Sequence, residues 1–111
     1  MFGITSNTKV YLRTGATDGR YGWEALRGLT VKVIRQEPMS GHIFCFCNAA
    51  RNRLRLLWWD GTGYWLATKI LARGTFDFPR TPGDAPRMSQ AQLAVLLKGV
   101  EFHRPNGGVR K

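Results

Sequence analysis

Arg51, Arg53 and Arg55 alternate along the chain just before Trp58-Trp59 and the run Asp60-Gly61-Thr62-Gly63. Guanidinium groups two residues apart share one side of an extended strand, and each offers a planar fork of donors suited to phosphate or carboxylate oxygens. The chemistry within their reach is to hold an anion, not to break a bond. No acidic residue lies between Ser40 and Trp59 to neutralise them. Arg20 and Arg73 fall outside that window but are candidates for the same surface. Arg51, Arg53, Arg55, Arg20 and Arg73 are therefore the expected nucleic-acid-contacting set. The competing reading is a solvated strand edge that arginines guard against pairing.

Trp58, Trp59, Tyr64 and Trp65 flank the turn. Aromatics interleaved with arginines could stack unpaired bases. Such residues are more often cross-strand core pairs, and alternation sends Trp58 and Trp59 to opposite faces, so at least one is expected in the core.

Bond-breaking chemistry finds little to work with. Two-metal phosphoryl transfer needs clustered carboxylates. The chain has seven acids, and Asp18, Asp60, Asp77 and Glu101 are scattered one to a segment. Asp60, with Gly61 and Gly63, is expected to form a structural turn, and Asp18 to open a helix. Asp60-Gly61-Thr62 only superficially matches an aspartic-protease Asp-Thr-Gly. Cys45, Cys47 and His42 fall short of a zinc site, which wants four ligands, and His103 is the sole other histidine. The cysteines are expected to be small buried hydrophobes. There is no phosphate-cradling glycine loop, no Gly-x-Ser-x-Gly and no Cys-His arrangement. The expectation is a non-enzyme with no catalytic residues, no metal and no cofactor.

The whole-chain balance points the same way. Seventeen Lys+Arg against seven Asp+Glu give a formal charge of +10, and twelve of the seventeen are arginine. Such an excess opposes compactness by self-repulsion and is tolerated most easily when a partner neutralises it. Nucleic acid or an acidic protein surface is the implied partner. A length of 111 residues, 43% of them hydrophobic, fits one domain with a packed core. No apolar run approaches the roughly 18 residues of a membrane span, and the first residues lack the charged start and apolar stretch of a signal peptide. Cys45 and Cys47, two apart on a strand, are badly placed to bond each other. The expected location is the cytoplasm, away from any membrane.

These residues need elements to position them. Thr8–Leu12 is expected as a short strand, with Val10 and Leu12 on one face. Thr17 and Asp18 should open a helix that places Gly22, Leu26, Leu29 and Val33 on one side, with Pro38, Ser40 and Gly41 ending the segment. The glycines Gly19, Gly22 and Gly28 weaken that helix. The apolar run from His42 to Cys47 reads as a strand buried on both faces. Leu54–Trp59 and Tyr64–Leu71 continue a meander through the Asp60–Gly63 turn. Arg73-Gly74 turns the chain into a fourth strand, Thr75–Phe78, and a loop rich in Pro79, Pro82, Gly83 and Pro86 leaves the sheet. Ser89 and Gln92 form a capping box for a last helix, whose Leu93, Leu96, Leu97 and Val100 share a face. The architecture expected is α+β: an antiparallel four-stranded meander, a short leading strand, and two helices packed on one face.

Taken in order, these residues resemble TnpB, the small accessory protein of the insertion sequence sixty-six family. The resemblance covers about residues 8 to 103. It rests on Val10-Tyr11-Leu12, Thr17-Asp18 with Arg20, Ser40-Gly41-His42-Ile43-Phe44 and Arg51-Asn52-Arg53-Leu54-Arg55. It continues through Trp58-Trp59-Asp60-Gly61-Thr62-Gly63, then Gly74 with Phe76 and Pro79, then Leu93, Leu96-Leu97 and Gly99-Val100-Glu101. Members usually read Asp-Trp where this chain has Glu101-Phe102. The RNA-guided nuclease also called TnpB is unrelated. Length and the glycine-containing, basic composition of the last residues give the expected layout, a single accessory-protein domain over residues 1–103 followed by a basic flexible tail, 104–111. The resemblance implies a helper in DNA transposition, with a separate transposase supplying the catalytic acids. Partners would be DNA, at the transposon ends, together with the transposase and the element's other accessory protein. The alternative is an adaptor that docks an acidic surface of the transposase without touching DNA. The family carries no agreed binding residues, so the arginines above rest on charge and spacing alone.

Overall fold

A computed structural model describes residues 3–79 and 86–100. The expected loop positions Pro82 and Gly83, and the tail 104–111, lie outside them. The fold is α+β, a five-stranded and mostly antiparallel sheet with two α-helices. Strands β1 (Val10–Leu12), β2 (Ile43–Cys47), β3 (Arg53–Trp59), β4 (Tyr64–Ile70) and β5 (Arg87–Met88) lie in the order β4-β3-β2-β1-β5. β1 runs parallel to β2, and every other pairing is antiparallel.

Alternation along the strands divides the core in two. On one face Val10, Leu12, Ile43, Cys45, Cys47, Leu54 and Trp58 pack with Phe76 and Phe78 beneath α2 (Gln90–Lys98), through Leu93 and Leu96. On the other, Phe44, Phe46 and Leu57 pack against Leu26 of α1 (Trp23–Leu29) and Ile34. β2 is thus buried on both sides, as its unbroken apolar run requires. The helices sit on opposite faces, which corrects the expectation of one shared face. The physical reason is β2 itself: its two apolar faces each need a cover.

The meander has three strands, not four. Thr75 makes only an isolated bridge to Val100, while Phe76 and Phe78 fill the core beneath the sheet without a ladder. The remaining strand is β5, which lengthens the sheet beyond β1. α1 starts at Trp23 instead of Thr17, because Thr17 N–H donates to Cys47 C=O (2.8 Å) and the Asp18 carboxylate accepts from Arg20 N–H (2.9 Å). Asp18 is therefore a turn residue, not a helix opener. Beyond Leu29 the chain widens into a π-helical turn, Thr30–Ile34, with Thr30 Oγ1 donating to Leu26 C=O. The wider turn moves the buried position from the expected Val33, which is 45% exposed, to Ile34. Ser89 caps α2 as the sequence requires: its hydroxyl accepts from Gln92 N–H (3.0 Å), and Gln92 Oε1 accepts from Ser89 N–H (2.8 Å).

Candidate nucleic-acid interface

β1 and β2 are parallel, so their C-terminal ends meet at one end of the sheet, where β3 begins and β4 finishes. Three connecting segments gather there. The stretch after β1 is tied down by Arg13 N–H to Cys45 C=O (2.9 Å) and Thr17 N–H to Cys47 C=O. Asn48 organises the β2–β3 turn, its Oδ1 accepting from the backbone N–H groups of Asn52 and Arg53 (both 3.0 Å). The stretch after β4 is held by Leu71 N–H to Asn52 C=O (2.9 Å) and Phe76 N–H to Arg51 C=O (2.7 Å). Arg20, Arg51, Arg53, Arg55 and Arg73 all lie on these segments or in the strand they lead into. Chain topology, not a single strand face, brings the five together.

Within that rim the arginines differ. Alternation does not reach Arg51, which precedes β3 in the left-handed region at φ 59°. Its side chain lines a small recess with Gly15, Ala16, Asn48, Ala49 and Phe78. Arg53 and Arg55 do share a face, and with Thr17, Asp18 and Gly19 they border a shallow cleft. Arg53 is exposed, and neither it nor Arg51 pairs with a carboxylate among the described residues. Arg55 is occupied: its Nε donates to Thr68 Oγ1 (3.1 Å), and its terminal nitrogen to the carbonyls of Gly19 (3.3 Å) and Tyr21 (2.5 Å). It clamps the segment before α1 onto the sheet. Arg20 forms a bidentate pair with Asp18, at 3.1 and 2.9 Å, which holds the Asp18 carboxyl down at about 2. Sequence reading missed Arg13, whose guanidinium donates to Ala16 C=O and Thr17 Oγ1 (3.3 Å). Its place just past a three-residue strand carried no signal.

The other candidate residues are held by structure. Asp60 Oδ1 accepts from the backbone of Thr62 (2.9 Å) and Gly63 (3.0 Å) and from Thr62 Oγ1, and Oδ2 accepts from Trp65 Nε1 (2.8 Å). Those hydrogen bonds, the Thr62 amide first, lower its carboxyl to about 2. Gly61 supplies the positive φ, 109°, that the turn needs. Cys45 and Cys47 are buried, and burial raises both thiols, Cys47 to about 11 despite the nearby Arg51 charge. His42 Nδ1 accepts from Lys9 N–H (3.0 Å), and partial burial with the charges of Lys9 and Arg87 lowers its pKa. Among the described residues no three His, Cys, Asp or Glu side chains gather as metal ligands.

On the α1 face, away from the basic rim, Trp23, Trp59, Gly63, Tyr64 and Leu66 line an open apolar pocket of about 440 Å³. Trp23 stacks on Tyr64 at 5.3 Å between centroids, and Trp59 meets Tyr64 edge-on at 5.0 Å. Trp58 and Trp65 pair on the opposite face at 6.0 Å. Sequence alternation separates Trp58 from Trp59 correctly but gives no reason to bring Trp23 to the pocket.

Residues 8–107 match the protein family described as IS66 Orf2 like protein. The chain belongs to that family. It is 37% identical over 99 residues to the uncharacterized protein y4hO of Sinorhizobium fredii, covering 89% of this chain and 86% of the relative. It is 33% identical over 104 residues to the uncharacterized protein y4jC of the same organism, covering 94% and 89%. No solved structure matches. Membership associates the chain with insertion-sequence transposition in an accessory role, outside any known enzyme class. Among the described residues no helix is long and apolar enough to cross a membrane.

Proposed function

We propose that the chain is a non-catalytic transposition accessory protein that binds DNA, at the transposon ends, through the basic end of its sheet. The observation that carries this reading is the gathering of Arg51, Arg53, Arg20 and Arg73 on adjacent segments, with no acid between Glu37 and Asp60 in the chain. Arg51 and Arg53 make the phosphate contacts, and Arg55 shapes the surface by fixing Gly19 and Tyr21. Contacts to phosphates give affinity without sequence readout and release counterions as they form.

Fluorescence anisotropy with a duplex carrying the element's terminal repeats tests the reading across a salt series. Each phosphate contact contributes a slope of about −0.9 in log K against log salt. Replacing Arg51 and Arg53 by Gln should flatten the slope by about 2 and weaken binding alike on any sequence. An unchanged slope removes these arginines from the interface.

The second reading, an adaptor for the transposase, is favoured by the aromatic pocket. Trp23, Trp59, Tyr64 and Leu66 offer an apolar seat suited to a protein side chain. It predicts negligible DNA affinity at about 0.15 M salt and loss of transposase pull-down in Trp23→Ala.

A further inference from the structure

β4 is the outermost strand on its side of the sheet, and its free edge has a regular backbone pattern. Asp60 N–H bonds Gly63 C=O and Leu71 N–H bonds Asn52 C=O, so Asp60/Gly63 and Asn52/Leu71 are hydrogen-bonded pairs. The register between them is unbroken from Trp59/Tyr64 to Arg53/Ile70. In an antiparallel ladder such pairs alternate with non-bonded ones. Trp65, Ala67 and Lys69 therefore turn their backbone groups toward β3. Tyr64, Leu66, Thr68 and Ile70 turn theirs outward, where they meet no partner among the described residues.

Edge strands are ordinarily protected from pairing by prolines, bulges, short length or several charges. β4 has seven residues, no proline, no bulge and one charge, Lys69. It also leaves Ile70 57% and Trp65 41% exposed. We propose that β4 pairs antiparallel with β4 of a second copy of this chain about a two-fold axis at Ala67, making one continuous ten-stranded sheet.

The register follows from the pattern. With Ala67 facing Ala67 of the second copy, Tyr64 faces Ile70 and Leu66 faces Thr68, so all four outward-bonding residues meet their like and make about eight backbone hydrogen bonds. Trp65 faces Lys69, which sets an ammonium beside an indole. A shift that centred the axis on Lys69 would oppose two lysines instead. Registers centred on Leu66 or Thr68 leave part of the outward set unpaired. No acidic residue lies in β4, so nothing there selects a basic partner strand over a second copy. Seven residues of edge give an interface at the small end of the specific range, and dissociation on the order of 10 μM is expected.

Sedimentation of the full chain without DNA, from about 1 to 500 μM in about 0.15 M salt, reads this directly. Ala67 is exposed on the sheet surface, so its substitution leaves the core intact. Ala67→Lys and Ala67→Glu each place like charges on the axis and should raise the dimer Kd at least about tenfold. Mixed in equal amounts, they should dimerise again. Ala67→Cys should form an intermolecular disulfide under mild oxidation, because a non-bonded antiparallel pair holds Cα atoms about 4.5 Å apart. A wild-type chain that stays monomeric overturns the proposal. So does a dimer that both charge variants leave unchanged, or charge variants that fail to recover on mixing.

Discussion

Arg55 shows how a charged residue placed correctly by spacing can still serve the fold first. Its donors reach Thr68, Gly19 and Tyr21, so a phosphate would compete with three internal acceptors. Arg55→Gln should lower stability by about 1 to 2 kcal/mol through the lost clamp. The same change should alter the DNA salt slope less than Arg53→Gln does. Urea unfolding and anisotropy measured on the same variants separate the two effects, and an unchanged urea midpoint would remove the clamp. Asp60 makes a parallel case for carboxylates. Its folded pKa of about 2 lies below the ordinary aspartate value of 3.8, so the folded state binds protons less readily than the unfolded chain. The resulting stability is fully present above the unfolded pKa and is lost as pH falls through about 2. Asp60→Asn should therefore lower Tm at pH 7 and flatten its fall between about pH 4 and pH 2. A variant with the wild-type pH profile would contradict the role of the turn.

At the scale of elements, α2 is the clearest case of local signals agreeing with tertiary packing. Ser89→Ala should cost about 1 kcal/mol by opening the capping box. Leu93→Ala should cost about 2 to 5 kcal/mol, because Leu93 is buried beneath the sheet. Chemical unfolding ranks the two, and a Leu93 variant no worse than the Ser89 variant would detach α2 from the core. Both elements of that prediction are legible in the sequence, as are β2, β3, β4 and the Asp60 turn, since each carries periodicity and punctuation of its own. The rest depended on partners distant in sequence. Thr75–Phe78 alternates like a strand, but Thr75 bridges only Val100, Phe76 N–H is taken by Arg51 C=O, and Phe76 and Phe78 are drawn into the core beneath the sheet. β5 itself is two residues between Pro86 and Ser89, too short to carry a period. The delayed start of α1 comes from Cys47 C=O capturing Thr17 N–H, a contact across thirty residues. The arginine rim was legible as residue types, but its assembly required the parallel pairing of β1 with β2, which alternation alone does not specify.

For the whole molecule, the governing quantity is the net charge of +10 on 111 residues. Self-repulsion destabilises the compact state, and both salt and a bound polyanion relieve it. The two can be told apart. Salt screens every charge and acts gradually as the Debye length falls from about 30 Å at 0.01 M to about 8 Å at 0.15 M. A specific duplex stabilises by linkage, and at about one hundred times its Kd adds about 2.7 kcal/mol, or roughly 10 °C in Tm for a domain of this size. Tm should therefore rise with salt alone, and rise further when duplex is added at fixed ionic strength. The duplex increment should shrink as salt increases, because counterion release weakens binding. In the Arg51→Gln, Arg53→Gln double variant the salt effect should persist while the duplex increment largely disappears. Differential scanning fluorimetry over a grid of salt and duplex concentrations measures both. A wild-type chain whose Tm follows ionic strength but ignores duplex would assign the charge to an acidic protein partner and leave the adaptor reading in place.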